Sequence, residues 1–247
     1  MKTRSTIAAA ALAGLAVGAA AAAPPFAALL RAHKFAEVER TANARLASDP
    51  TDPEALIAKA DAIVALDPEG RADEAVRLGE QCVAAHPQHS GCYLASGTAL
   101  GAKARHAGPV SAMGYATKIR NDLLKAVELD PRNTDARFAL LDYYIQAPRV
   151  VGGGKARAHA LAAQTEAVNP AAARLMQAQL ALAEKDYANA QAILLELQPG
   201  SDGMVADRQR ELLVRLGQGY RADGKPADGE RIFQIVGQRF PDSAAVP

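Results

Sequence analysis

Four segments of this chain end alike: ARLASDP (44–50), QCVAAHP (81–87), KAVELDP (125–131) and QTEAVNP (164–170). Each reads as the tail of a helix halted by proline, which has no N–H for the helical ladder and clashes with the preceding turn. The stops at Pro50, Pro87, Pro131, Pro170 and Pro241 are 37, 44, 39 and 71 residues apart, the last step being about two units long. A helical unit of this length cannot bury its apolar face alone, so copies must stack. No stretch shows the sustained alternation of a half-buried strand. The expected fold is all-α, a superhelical array of about six helical hairpins with the first truncated, and the alternative is a non-repetitive helical bundle.

The first 23 residues, MKTRSTIAAAALAGLAVGAAAAA, run from a short basic start through a weakly apolar stretch to small residues ahead of Pro24 and Pro25. That order is the one a secretory leader uses. Cleavage between Ala22 and Ala23 is expected, with 1–22 as signal peptide and 23–247 as the helical repeat domain. No cysteine for lipid attachment stands near the cut and no paired arginine precedes the apolar run, which points to the general secretory route and a periplasmic or secreted protein. A retained anchor is the rival, but alanine and glycine make this run poorly apolar for a span of about 20 residues. Loss of Lys2 and Arg4 with the leader turns the net charge from +1 to −1. Such a balance provides no concentrated basic surface for nucleic acid.

The last unit carries the fullest pattern. Leu213, Leu216, Gly217 and Tyr220 sit on W-x2-L-G-x2-Y spacing, followed by Gly224, Phe233 and Pro241. It resembles a tetratricopeptide repeat (TPR). The resemblance implies that Gly217 lets a neighbouring helix approach and that Tyr220 and Phe233 fill the space between paired helices. Gly229 stands in an alanine slot, which should weaken its helix by roughly 0.5–1 kcal/mol. Elsewhere Tyr93, Gly97 and Leu100 keep a first-helix pattern with Ser96 in the leucine position. Ala75 and Cys82 keep small second-helix residues, and Asp186, Tyr187 and Ala190 mark another turn and second helix. Extra length falls in 101–120 and 144–158. The chain is also similar to exported bacterial TPR proteins with a comparable Pro and Gly-Gly loop.

Motifs for chemistry are sparse. Gly152, Gly153, Gly154 and Lys155 suggest a phosphate loop, but Arg149 and Ala156 occupy positions that need Gly and Ser or Thr, and no strand precedes them. The expected role is a flexible connection leading into a helix near Lys155. Arg149, Lys155, Arg157 and His159 offer a small basic cluster to an acidic side chain.

Cys82, His86, His89 and Cys92 fit no zinc framework, and the cysteines lie equally far from Pro87 on either side. A Cys82–Cys92 disulfide is expected, because an antiparallel turn at Pro87 brings the two level, within bonding range; two separate thiols and metal binding are the alternatives. His33, His106 and His159 belong to no recognisable catalytic motif. No metal, cofactor or catalytic residue is expected.

Stacked hairpins present their first helices on a concave surface suited to extended peptides or partner helices. Projection of those helices by the resemblance puts Asp61, Thr98, Asp142, Gln146, Gln179, Arg215, Gln218 and Arg221 in the groove. Tyr143 and Tyr144 either line it or pack between helices. The expected function is that of a periplasmic interaction scaffold, not an enzyme, with a protein or peptide partner, no nucleic acid and no membrane span after leader removal. Two rivals are a small-molecule carrier for a transporter, its pocket enclosed by the two insertions, and an enzyme with an unlocated site.

Overall fold

The computed structural model describes residues 26–198 and 203–241; the expected leader lies outside them. The described chain forms α1 (Phe26–Arg31), α2 (Phe35–Ser48), α3 (Pro53–Leu66), α4 (Ala72–Ala85), α5 (Ser90–His106) and α6 (Pro109–Leu129). Then follow α7 (Thr134–Gln146), α8 (Lys155–Glu166), α9 (Pro170–Ala183), α10 (Tyr187–Glu196), α11 (Gly203–Ala222) and α12 (Pro226–Arg239), with one 3₁₀ turn at Arg149–Val151. No strand occurs among the described residues. These are six helical hairpins, and the short α1 makes the first the truncated one.

Turn side chains explain the starts. Asp52, Asn133 and Asn169 each accept the backbone N–H three residues on, at 3.0 Å, and Asp186 does so at 3.2 Å. Such caps satisfy donors that the first helical turn leaves without partners. Pro170 corrects the sequence reading. It does not stop α8, which ends at Glu166, but opens α9 behind the Asn169 cap. At a first helical position the missing N–H costs nothing.

The odd-numbered helices pack on one another in succession, from α1 on α3 to α9 on α11, while the even-numbered helices from α2 to α10 each pack on their own partner and on the next odd one, and α12 packs on α11. Neighbouring even-numbered helices do not pack together among the described residues. The odd layer is therefore the tighter one, and the array curves with that layer inside.

Close approaches are made by small residues. A Cβ on Gly79 of α4 would lie 2.7 Å from the Ser96 Cα of α5. Ser96, in a leucine position, gives its hydroxyl proton to the buried Asp122 at 2.8 Å, tying α5 to α6. Gly217 meets the Phe233 ring, where a Cβ would stand 2.6 Å from the nearest ring carbon. Gly229 is a second correction. A Cβ there would sit 2.7 Å from the Gly217 carbonyl oxygen, so the alanine of the pattern does not fit without a shift of α12.

Cys82 and Cys92 are joined by a disulfide with Cα atoms 5.2 Å apart, linking the end of α4 to the start of α5. Both residues are fully buried.

The inner face and its cavity

The two insertions build one feature together. The first lengthens the ends of α5 and α6 that meet at Pro109. The second forms the 3₁₀ turn and a loop that crosses back toward α7. The expected flexibility of that loop gives way to a bonded structure. The Tyr143 hydroxyl donates to the Val151 carbonyl at 2.6 Å, and the Gly154 N–H donates to the Tyr144 carbonyl at 2.7 Å. Gly153 passes so close to the Ala147 carbonyl that no side chain fits, and Gly154 adopts φ +118°, a left-handed value that favours glycine.

Between α3, α5, α6, α7 and this loop lies a half-open cavity of about 570 Å³. Its walls are mostly apolar, including Val64, Ala112, Ala116, Ile119, Leu123 and Val151, and Thr98, Arg105, Asp142, Tyr143 and Gln146 supply the polar groups. Of the residues expected in the groove, Thr98, Asp142 and Gln146 are thus brought together. Tyr143 and Tyr144 are both buried, and Tyr143 contributes to the cavity wall. Val110 and Met113, near the start of α6, are large apolar side chains left exposed.

Further along the inner layer, Gln179 of α9 donates its amide to Asp142 Oδ1 of α7. Burial pushes the Asp142 carboxyl above its ordinary pKa, while the charges of Arg208 and Arg215 on α11 and the Gln179 bond pull it back. Arg208 also lies over the Phe138 ring of α7, 4.6 Å from its centroid. Sequence reading missed Arg208, although it stands two helical turns before Arg215 and so on the same face. At the other end, burial pushes the partly covered Asp61 carboxyl up to about 7, with the charge of Asp135 adding to the effect. Arg215 and Gln218 are exposed.

Two expected groove residues stand elsewhere. Gln179 is wholly buried and works as a tie between helices, with no surface for a partner. Arg221 turns toward α12, donating from Nε to Glu230 at 3.1 Å with its guanidinium 4.3 Å from the Phe233 centroid. The reason is its spacing. Four residues after Gly217, it shares the face that meets α12.

Two histidines lie near surface carboxylates, with His106 Nδ1 3.7 Å from Glu69 and His159 Nε2 3.5 Å from Glu184, while His33 packs edge-on against Phe35. Lys155 shares Glu184 at 3.2 Å. Neither histidine is hydrogen-bonded to a hydroxyl or thiol among the described residues. No group of three or more His, Cys, Asp or Glu side chains is placed to hold a metal among those residues.

No family model matches the chain. No curated protein matches it either. Solved structures do. A thermophilic TPR protein of Thermus thermophilus is 23% identical with a TM-score of 0.61, over 76% of this chain and 95% of that one. A tetratricopeptide repeat protein from Parabacteroides merdae is 16% identical with a TM-score of 0.51, over 87% of this chain and 77% of that one. At such identities the likeness concerns architecture, and the chain is an all-α array of TPR type.

Proposed function

We propose that the protein is an exported interaction scaffold, working in the periplasm, that holds a protein segment against the inner layer of α3, α5, α7, α9 and α11. The observation that carries this reading is the inner face itself: the odd-numbered helices form one continuous layer, with the carboxyls of Asp61 and Asp142 on α3 and α7 and the guanidinium groups of Arg208 and Arg215 on α11. Arrays of this architecture use that surface for extended peptides and partner helices. Carboxyls toward one end and guanidinium groups toward the other favour a partner of mixed charge over a highly charged one. Export is supported by the basic, apolar and small-residue order of 1–23. No described helix is long and apolar enough to cross a membrane.

The test is capture from a periplasmic extract with protein recovered from that compartment, expected to begin at or near Ala23. Arg215→Ala with Gln218→Ala should release the captured partner while melting stays unchanged. Recovery of the intact chain in the membrane, or full capture by the double variant, contradicts the reading. The half-open cavity favours a second reading, carriage of a small apolar molecule.

A further inference from the structure

The cavity beside Pro109 has apolar walls and one charge without a partner among the described residues. Its volume, about 570 Å³, falls within the range of small-molecule sites, about 300–1,000 Å³. A peptide is a poor fit. Its amide groups would need hydrogen-bond partners, and the walls are side chains of helices whose own backbone groups are already paired.

Most polar groups around the cavity are engaged. The Thr98 hydroxyl donates to the Leu94 carbonyl at 3.0 Å and the Tyr143 hydroxyl to Val151. Asp142 accepts Gln179 and faces Arg208 and Arg215. Gln146 is uncharged and exposed. Arg105 differs from all of these: exposed at the mouth, it makes no ion pair or side-chain hydrogen bond among the described residues. Its Nη1 lies 4.0 Å from the point that a Cβ on Gly101 would occupy, so the guanidinium folds back along α5 over a lining residue.

We infer that the cavity binds an amphipathic monocarboxylate of medium chain length, its alkyl tail among Val64, Ala116, Ile119 and Leu123 and its carboxylate on Arg105. The inference rests on the carrier reading and not on the scaffold one. A tail inside and a carboxylate at the mouth is the arrangement physics favours, because the charged group keeps its water while the chain loses contact with it.

The experiment is calorimetric titration of the purified protein with octanoate, decanoate and dodecanoate, each below its critical micelle concentration. Decanol and decyltrimethylammonium serve as headgroup controls. Binding should be one to one, with affinity rising about fourfold per added methylene until the cavity is full. Decanoate should bind roughly tenfold more tightly than decanol, in keeping with a charge-assisted bond, and Arg105→Gln should abolish that preference.

Gly101→Leu places a side chain in open space and should weaken every ligand at least tenfold. It should not lower the melting temperature, since leucine is the better helix former. If decanol or decyltrimethylammonium binds as well as decanoate and Gly101→Leu removes both, the carboxylate assignment falls and the carrier reading survives. If no probe binds, or if Gly101→Leu leaves binding intact, both fall.

Discussion

The side-chain amide of Gln179 on α9 donates to the carboxylate of Asp142 on α7, across the inner layer and next to the cavity. Gln179 is fully buried, and its own carbonyl oxygen has no hydrogen-bond partner among the described residues. A donor to the charged form of a carboxyl favours that form. Gln179→Leu should therefore raise the protonation midpoint of Asp142, followed by carboxyl NMR. It should cost about 1 kcal/mol in urea unfolding, a loss kept small because the unpaired oxygen leaves as well. An unchanged or lowered midpoint contradicts this account of the pair.

Gly229→Ala tests the packing of the last hairpin. On helix propensity alone the change should stabilise α12 by roughly 0.5–1 kcal/mol. The Gly217 carbonyl blocks the new methyl group, so overpacking should dominate and the variant should lose about 1–3 kcal/mol. Chemical denaturation decides it, and a gain in stability would show that α11 and α12 separate without penalty.

Asp61 should make stability fall as pH rises. Its carboxyl sits near 7 in the folded protein against the ordinary 3.8. The stability it contributes is full below about 4 and is lost as pH climbs through about 7. A shift of this size corresponds to about 4 kcal/mol for a fully enclosed group, and roughly 2 kcal/mol is expected because part of Asp61 meets solvent. Asp61→Asn should melt close to the parent at pH 4 and clearly above it at pH 8. Parallel melting curves at both pH values contradict the shift.

The Cys82–Cys92 bond closes a loop of about 10 residues, which the chain-entropy description values at about 3 kcal/mol. Unreduced, denatured protein should take up no alkylating agent by mass, and two additions after reduction, with a lower melting temperature. Two additions without reductant contradict the bond in the protein as isolated.

Much of this fold is legible in the chain because its signals are local. Pro50, Pro87 and Pro131 mark turns through backbone chemistry, and the caps Asp52 and Asn133 stand beside two of them. What escaped depends on distance. Pro170 looks like a stop until Asn169 is seen to cap the helix that it opens. Gly229 looks like a weakness until the Gly217 carbonyl appears above it. Arg221 follows Gly217 by four residues, so its place toward α12 is legible from spacing, whereas the reach of Arg215 to Asp142 on another helix shows only in tertiary packing. The two insertions hint at a cavity, but its walls come from four helices and a loop, and no spacing within any one of them encodes that meeting.

The claim that the inner layer is the working surface is tested most directly by site-specific photo-crosslinking in the cells that make the protein. A photoreactive residue at Gln146 or Gln218, exposed on α7 and α11, should crosslink the same partner. One at Thr117 or Gln164, exposed on the outer helices α6 and α8, should not. Crosslinks confined to Thr117 and Gln164, with none from the inner positions, would contradict the account.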